Sequence, residues 1–160
     1  MARPYASVSD LPASLPVFPL SGALLLPGGI LPLNIFEPRY IAMFDDALGG
    51  DRLIGMIQPT DPNAHDPKKS DEIPALFPVG CAGRITSFSE TGDGRYLVTL
   101  SGLARFKIAR ELEPRRGYRR VAADWTAFSN DMRESECSLD RPRFVNLLQS
   151  YFQLHGLSAN

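Results

Sequence analysis

LPVFPLSGALLLPGGILPLNIFEPRYIAMFDD, residues 15–46, decides how the rest of the chain is read. An apolar run from Leu15 to Leu20 carries Pro16 and Pro19. Proline has no N–H to give to a ladder, so the run reads as an edge strand or extended segment rather than a central strand. Pro27, Gly28 and Gly29 mark a turn, and a second apolar run follows from Ile30 to Phe36. A helix then begins. Pro38 suits a first helical turn, where its missing N–H costs nothing, and Glu37 beside it suits the positive end of the helix dipole. Tyr40, Ile41, Phe44, Ala47 and Leu48 recur at helical spacing, which leaves Asp45 and Asp46 for solvent. Gly49 and Gly50 end the helix. The unit is strand, turn, strand and short helix, and the helix carries an aromatic face that must cover something apolar.

The 160 residues suit one domain with a core of its own, and 44% hydrophobic with 22% charged residues is an ordinary globular composition. A formal net charge of −1 lacks the basic excess of an electrostatic nucleic-acid binder, which makes nucleic acid an unlikely partner. Fourteen prolines and thirteen glycines favour a β-rich structure over a helical bundle. Cys81 and Cys137 read as free thiols of a reducing compartment. The N-terminus has no continuous apolar segment of the signal-peptide kind. Residues 20–35 are broken by Pro27, Gly28, Gly29 and Pro32, too often for a membrane-spanning helix. The expected location is the cytoplasm, with no membrane partner.

Outward from the opening stretch, residues 1–14 read as a flexible tail. Leu53 to Ile57 reads as a buried strand of a mixed sheet. Residues 59–74, with four prolines among Asp, Asn, His65, Lys68 and Lys69, read as a surface loop, either a variable connection or a lid. Val79 to Ser89 starts another strand, in which Gly80 and Gly83 signal a bulge or a close backbone approach. Glu90 to Gly94 is a hairpin signal. Tyr96, Val98 and Leu100 alternate with Leu97, Thr99 and Ser101; Gly102 breaks or bends the run; Ala104, Phe106 and Ile108 then alternate with Arg105 and Lys107. Pro114 to Gly117 is a basic turn, and Val121, Ala123 and Trp125 close the β region. The expected division is a β domain over 15–126 and, over 127–160, a linker and the start of a helical region. In that region Asp140 caps a helix, Pro142 sits in its first turn, and Phe144, Leu147, Leu148, Tyr151 and Phe152 form one apolar stripe. The pattern as a whole is β-rich α+β, a barrel or pair of packed sheets with one helix across an opening.

Four segments in order, LPVFPL (15–20), LPLNIFEPRY (31–40), LFPVGCAGRI (76–85) and LSGLARF (100–106), carry a resemblance to the N-terminal substrate-binding domain of the Lon protease family. The resemblance covers about residues 15–125. It implies a PUA-like pseudo-barrel of mostly antiparallel strands, binding of unfolded or partly folded polypeptide, and a role as adaptor or regulator in proteolysis. It makes Phe36, Glu37, Pro38, Arg39 and Tyr40 a family signature with a structural role. In proteins of this kind several helices follow the β region. Here one apolar helix precedes Asn160, so the expectation is either a longer natural chain or a partner copy, as in a homodimer, over the stripe.

Chemistry is sparse. There is no phosphate-binding GxxxxGK[ST] loop and no serine–lysine pair in a convincing setting, so the ATPase and peptidase modules of Lon have no counterpart here. His65 and His155 lack metal-ligand spacing. The expectation is no enzyme, no catalytic or metal-binding residue and no cofactor. Binding then falls to apolar surface. Leu25, Leu26, Pro27 and Ile30 lie in a connection, and connections run over the surface; these side chains either fold under as core or form a patch for unfolded polypeptide. Phe88 and Tyr96 are rim candidates. Two alternatives stay open: a PUA-like RNA-binding module using the basic face from Arg105 to Arg120, and an enzyme built on Cys81.

Overall fold

A computed structural model describes residues 5–61, 73–133 and 139–157. Its elements are β1 (Ser14–Pro19), β2 (Ile30–Ile35), α1 (Pro38–Leu48), β3 (Leu53–Ile57), β4 (Val79–Glu90), β5 (Tyr96–Arg115), β6 (Tyr118–Asp124) and α2 (Arg141–Leu154). The strands run in the order β2-β5-β4-β3-β1-β6, and β5 also pairs with β6. That last pairing closes a ring of five strands, β5-β4-β3-β1-β6, with β2 laid along the first half of β5. The β-rich pseudo-barrel is thus present, and β1 with β3 is its parallel pair.

β1 is not at an edge. It lies between β3 and β6, against the expectation drawn from Pro16 and Pro19. Stagger removes the conflict. Residues 14–17 pair with β6 and residues 17–19 pair with β3, so each proline has a ladder on one side alone. β5 is a single strand of 20 residues that passes through Gly102 without breaking. Opposite it, Ala82 faces Ala104 and Gly83 faces Gly102, so Leu103 is the extra residue of a bulge. A bulge bends and twists its strand, which lets one strand serve both halves of the barrel.

The core forms two clusters. One holds Phe18, Ile35, Tyr40, Met43, Phe44, Ile54, Val98 and Leu100 between α1 and the sheet. The other fills the barrel with Leu15, Val17, Leu53, Ala82, Phe106 and Val121. α1 covers the barrel opening as expected: the Phe18 ring lies 4.2 Å from the Tyr40 ring and 6.5 Å, edge-on, from Phe44. Met43, which the helical pattern left out, is fully buried. Asp46 is not left to solvent. Its carboxylate accepts from the Tyr118 hydroxyl (2.8 Å) and Arg116 (2.8 Å) and pairs with Arg115 (3.3 Å), which ties α1 to the β5–β6 hairpin.

In the part of the expected tail that is described, the Tyr5 hydroxyl donates to the Asp51 carbonyl and Leu11 is buried. The Trp125 indole donates to the Pro12 carbonyl at 3.1 Å. In the expected linker, Asp131 accepts three hydrogen bonds of 2.7–2.9 Å from the backbone and guanidinium of Arg105. The Arg105 guanidinium also stacks on Phe128. In α2 the Asp140 carboxylate caps the Arg143 amide, and no residue of the helix is buried. His65, Lys68, Lys69 and Cys137, and with them the lid reading of 59–74, lie outside the described residues. The ends of that loop are held together by Thr60 N–H to Ala75 O and Phe77 N–H to Gln58 O.

Candidate functional site: an apolar ledge and cleft

The connection between β1 and β2, residues 20–29, is clamped to the barrel wall. The Leu25 side chain enters the space above Gly83, where a Cβ would lie 2.6 Å from Leu25 Cδ2. The Leu26 carbonyl lies over Gly102, where a Cβ would meet its oxygen at 2.0 Å. Only glycine permits that approach. Gly28 N–H donates to Gly102 O and Gly102 N–H to Gly29 O, at 3.0 and 2.8 Å. From the other side, the Gln58 carboxamide accepts from Gly22 N–H and donates to the Ala23 carbonyl.

This clamp sorts the leucines. Leu25, expected among the contact candidates, is only 4% exposed because it is the pin. Its neighbours are turned out: Leu24 is 71%, Leu26 54% and Ile30 73% exposed. Exposure here is imposed by the clamp. Beside this ledge runs a cleft of about 170 Å³, walled by Leu24, Leu26, Ile57, Gln58 and Val79 over a floor that includes Gly80 and Cys81. The volume lies below the range of about 300–1,000 Å³ for small-molecule sites, so the cleft suits one large side chain rather than a cofactor.

β2 continues the ledge as an edge strand, since it pairs with β5 alone. The bond from Gly102 N–H to Gly29 O sets the alternation of the ladder. Leu31, Leu33 and Ile35 therefore bond inward, and the backbone of Ile30, Pro32 and Asn34 faces out. Pro32 sits where its missing N–H breaks no ladder bond.

Phe88 and Tyr96 are not brought to the ledge. Their rings touch edge-on at 4.8 Å, and the Tyr96 hydroxyl donates to Asp45 at 2.8 Å. Tyr96 pairs with Ile35, five residues along β2 from Ile30, a separation of about 17 Å. In the signature at the start of α1, Tyr40 is buried, Glu37 bonds to Arg39, and Arg39 lies over the Tyr40 ring. Phe36 is 64% exposed. Sequence reasoning missed Gln58 and the exposed Phe77 and Val79. For Phe77 and Val79 the signal was present in LFPVG, an apolar run that starts before its strand does.

The alternatives find little support in the geometry. On the basic face, Arg105 is bound to Asp131, Arg115 and Arg116 to Asp46, and Arg119 to Glu111. Burial and the nearby Asp131 charge push the Cys81 thiol up to about 12, far from a thiolate at neutral pH. Among the described residues no group of three or more His, Cys, Asp or Glu is placed to hold a metal ion. Among the same residues no helix is long and apolar enough to cross a membrane.

Comparison with known proteins agrees with this architecture. Residues 14–155 match the family model described as the ATP-dependent protease La (LON) substrate-binding domain. The chain is 34% identical over 99 residues to the Lon protease of Anaeromyxobacter dehalogenans and 33% identical over 99 residues to Lon protease 2 of Myxococcus xanthus. These matches take in 62% of this chain and only 11% and 12% of those proteases. In structure it is similar to a Lon N-terminal domain protein from Xanthomonas campestris, with a TM-score of 0.59 and 26% identity over 88% of this chain and 74% of that one. The N-terminal domain of a Mycobacterium avium complex Lon protease shares the fold, with a TM-score of 0.57 at 16% identity over 89% of this chain and 69% of that one. With the model match covering the whole span from β1 to the end of α2, the chain belongs to the Lon substrate-binding domain family.

Proposed function

We propose that the chain binds unfolded or partly folded polypeptide on the ledge of Leu24, Leu26 and Ile30, and that it acts in proteolysis as an adaptor or regulator. The observation that carries this reading is the sorting of the leucines: one is buried as a pin so that its two neighbours stay in water. Apolar side chains held out by a rigid clamp, beside a cleft for one side chain and an open strand edge, match the needs of an extended chain. Backbone bonds at the β2 edge supply affinity without sequence preference, and the cleft supplies preference for a bulky apolar residue. The Lon family itself supports polypeptide as the ligand class.

The test is a titration of the protein against a permanently unfolded, cysteine-blocked polypeptide at low and high salt. Burying one Leu or Ile side chain is worth about 1.5–3 kcal/mol. The variant Leu24→Ser, Leu26→Ser, Ile30→Ser is therefore expected to bind at least about tenfold more weakly, with little dependence on salt. No binding at high micromolar concentration, or equal binding by the variant, overturns the reading.

A further inference from the structure

Gly28, at the end of the ledge loop, and Gly102, which the loop is clamped to, also line a second hollow. It holds about 440 Å³, and Tyr5, Arg84, Thr86, Ser101, Met132 and Arg133 line it. Residues 23–26 of the ledge loop line the apolar cleft, and Gly28 lines this hollow of mixed polar and apolar wall. Two guanidiniums share the hollow. Among the described residues, neither Arg84 nor Arg133 has a carboxylate at ion-pair distance. The one carboxylate in the wall, Asp131, is only 9% exposed and is engaged bidentately by Arg105, so that pair adds no net charge. Arg84 is half-buried on β4, opposite Ser101 of β5 and Leu53 of β3. Tyr5 and Arg84 line the same hollow; burial and the Asp51 carboxylate raise the pKa of the Tyr5 phenol and Arg84 lowers it. The Tyr5 hydroxyl already donates to Asp51 O, so towards the hollow its oxygen is an acceptor.

A half-buried guanidinium with no carboxylate at ion-pair distance keeps its N–H donors free, and their fork matches a carboxylate. A phosphate fits the same fork; the apolar ledge on the same loop is what favours a carboxylate carried by polypeptide. We propose that the hollow around Arg84 and Arg133 receives a carboxylate of the polypeptide whose apolar side chains lie on the Leu24, Leu26 and Ile30 ledge; this rests on the polypeptide-binding reading above. The preferred ligand class is then an apolar segment with an acidic group a few residues away. Arg84 is the partly buried, bidentate partner, and the exposed Arg133 adds charge.

The test uses four labelled peptides with one leucine-rich core: an internal Glu or Gln, each with a free or amidated C-terminus. Wild-type protein is expected to bind the Glu peptides or the free-terminus peptides about tenfold more tightly than their neutral counterparts, and the arm that shows the gap identifies the carboxylate's source. Arg84→Gln with Arg133→Gln is expected to erase that gap and leave the affinity for the neutral peptide unchanged. Raised salt narrows the gap and leaves the neutral peptide alone. Equal binding of all four peptides by wild-type, or a gap that survives in the double variant, overturns the proposal while leaving the ledge intact. A titration with glutarate, read on the Arg84 Nε–H NMR signal, needs no ledge. A shift there without peptide binding sinks the ledge reading and keeps the carboxylate site; no shift and no gap sinks the site.

Discussion

Gly102 and Gly83 hold the same loop but differ in what a side chain would strike. At Gly102 an added Cβ meets the Leu26 backbone carbonyl at 2.0 Å, and at Gly83 it meets the tip of the Leu25 side chain at 2.6 Å. Backbone cannot yield as a side chain can, so Gly102→Ala is expected to cost about 3 kcal/mol and Gly83→Ala about 1 kcal/mol, read as urea midpoints. Equal costs would mean that the loop is not clamped as described. Gln58→Ala removes the two bonds to residues 22 and 23 and is expected to cost about 1–2 kcal/mol and to speed exchange of the Gly22 amide. Cys81 is expected to stay unlabelled by a thiol reagent at neutral pH in a Cys137→Ala background until the protein unfolds; rapid labelling of the native protein would reopen an enzymatic reading. These residues were unevenly legible. Gly83 stood inside an apolar strand pattern and signalled close approach. Gln58 gave no signal, because a carboxamide at the end of a strand is ordinary until the loop it clamps is known.

At the scale of elements, α1 shows which part of a pattern survives folding. Its aromatic face was readable from spacing alone, yet Met43 is as buried as Phe44, and Asp46 faces a hairpin built 70 residues later. Periodicity reports the helix and not the partner that arrives on its far side. The same limit explains β1, whose prolines imply an edge in any single-strand argument; the stagger of β3 against β6 is a property of three strands. The tie at Asp46 has a pH signature. The Tyr118 hydroxyl first, then the Arg116 and Arg115 guanidiniums, hold its carboxyl below the usual range. A depressed folded pKa gives stability that is present above the unfolded value near 4 and lost as pH falls through the folded value. Asp46→Ala is thus expected to cost about 1–2 kcal/mol at pH 7, with the gap to wild-type closing below about pH 4. A gap that holds constant to pH 2 would contradict the ion-pair account.

Across the whole molecule, one strand organises the rest. β5 closes the five-strand ring through its second half and carries β2 on its first, so the ledge, the free edge of β2 and the hollow around Arg84 all hang from one bent ladder. The fold class and the apolar character of residues 24–30 were legible from proline-punctuated runs and alternation. The sorting of Leu25 from Leu24 and Leu26 was not, because it depends on two glycines that come into register only when β4 meets β5. The central claim is that polypeptide lies along residues 24–30 and the outer edge of β2. Hydrogen exchange with and without a permanently unfolded polypeptide tests it directly: slowed exchange is predicted at the amides of Leu24, Leu26, Ile30 and Asn34, and protection confined to α2, or absent from residues 24–34, would contradict it.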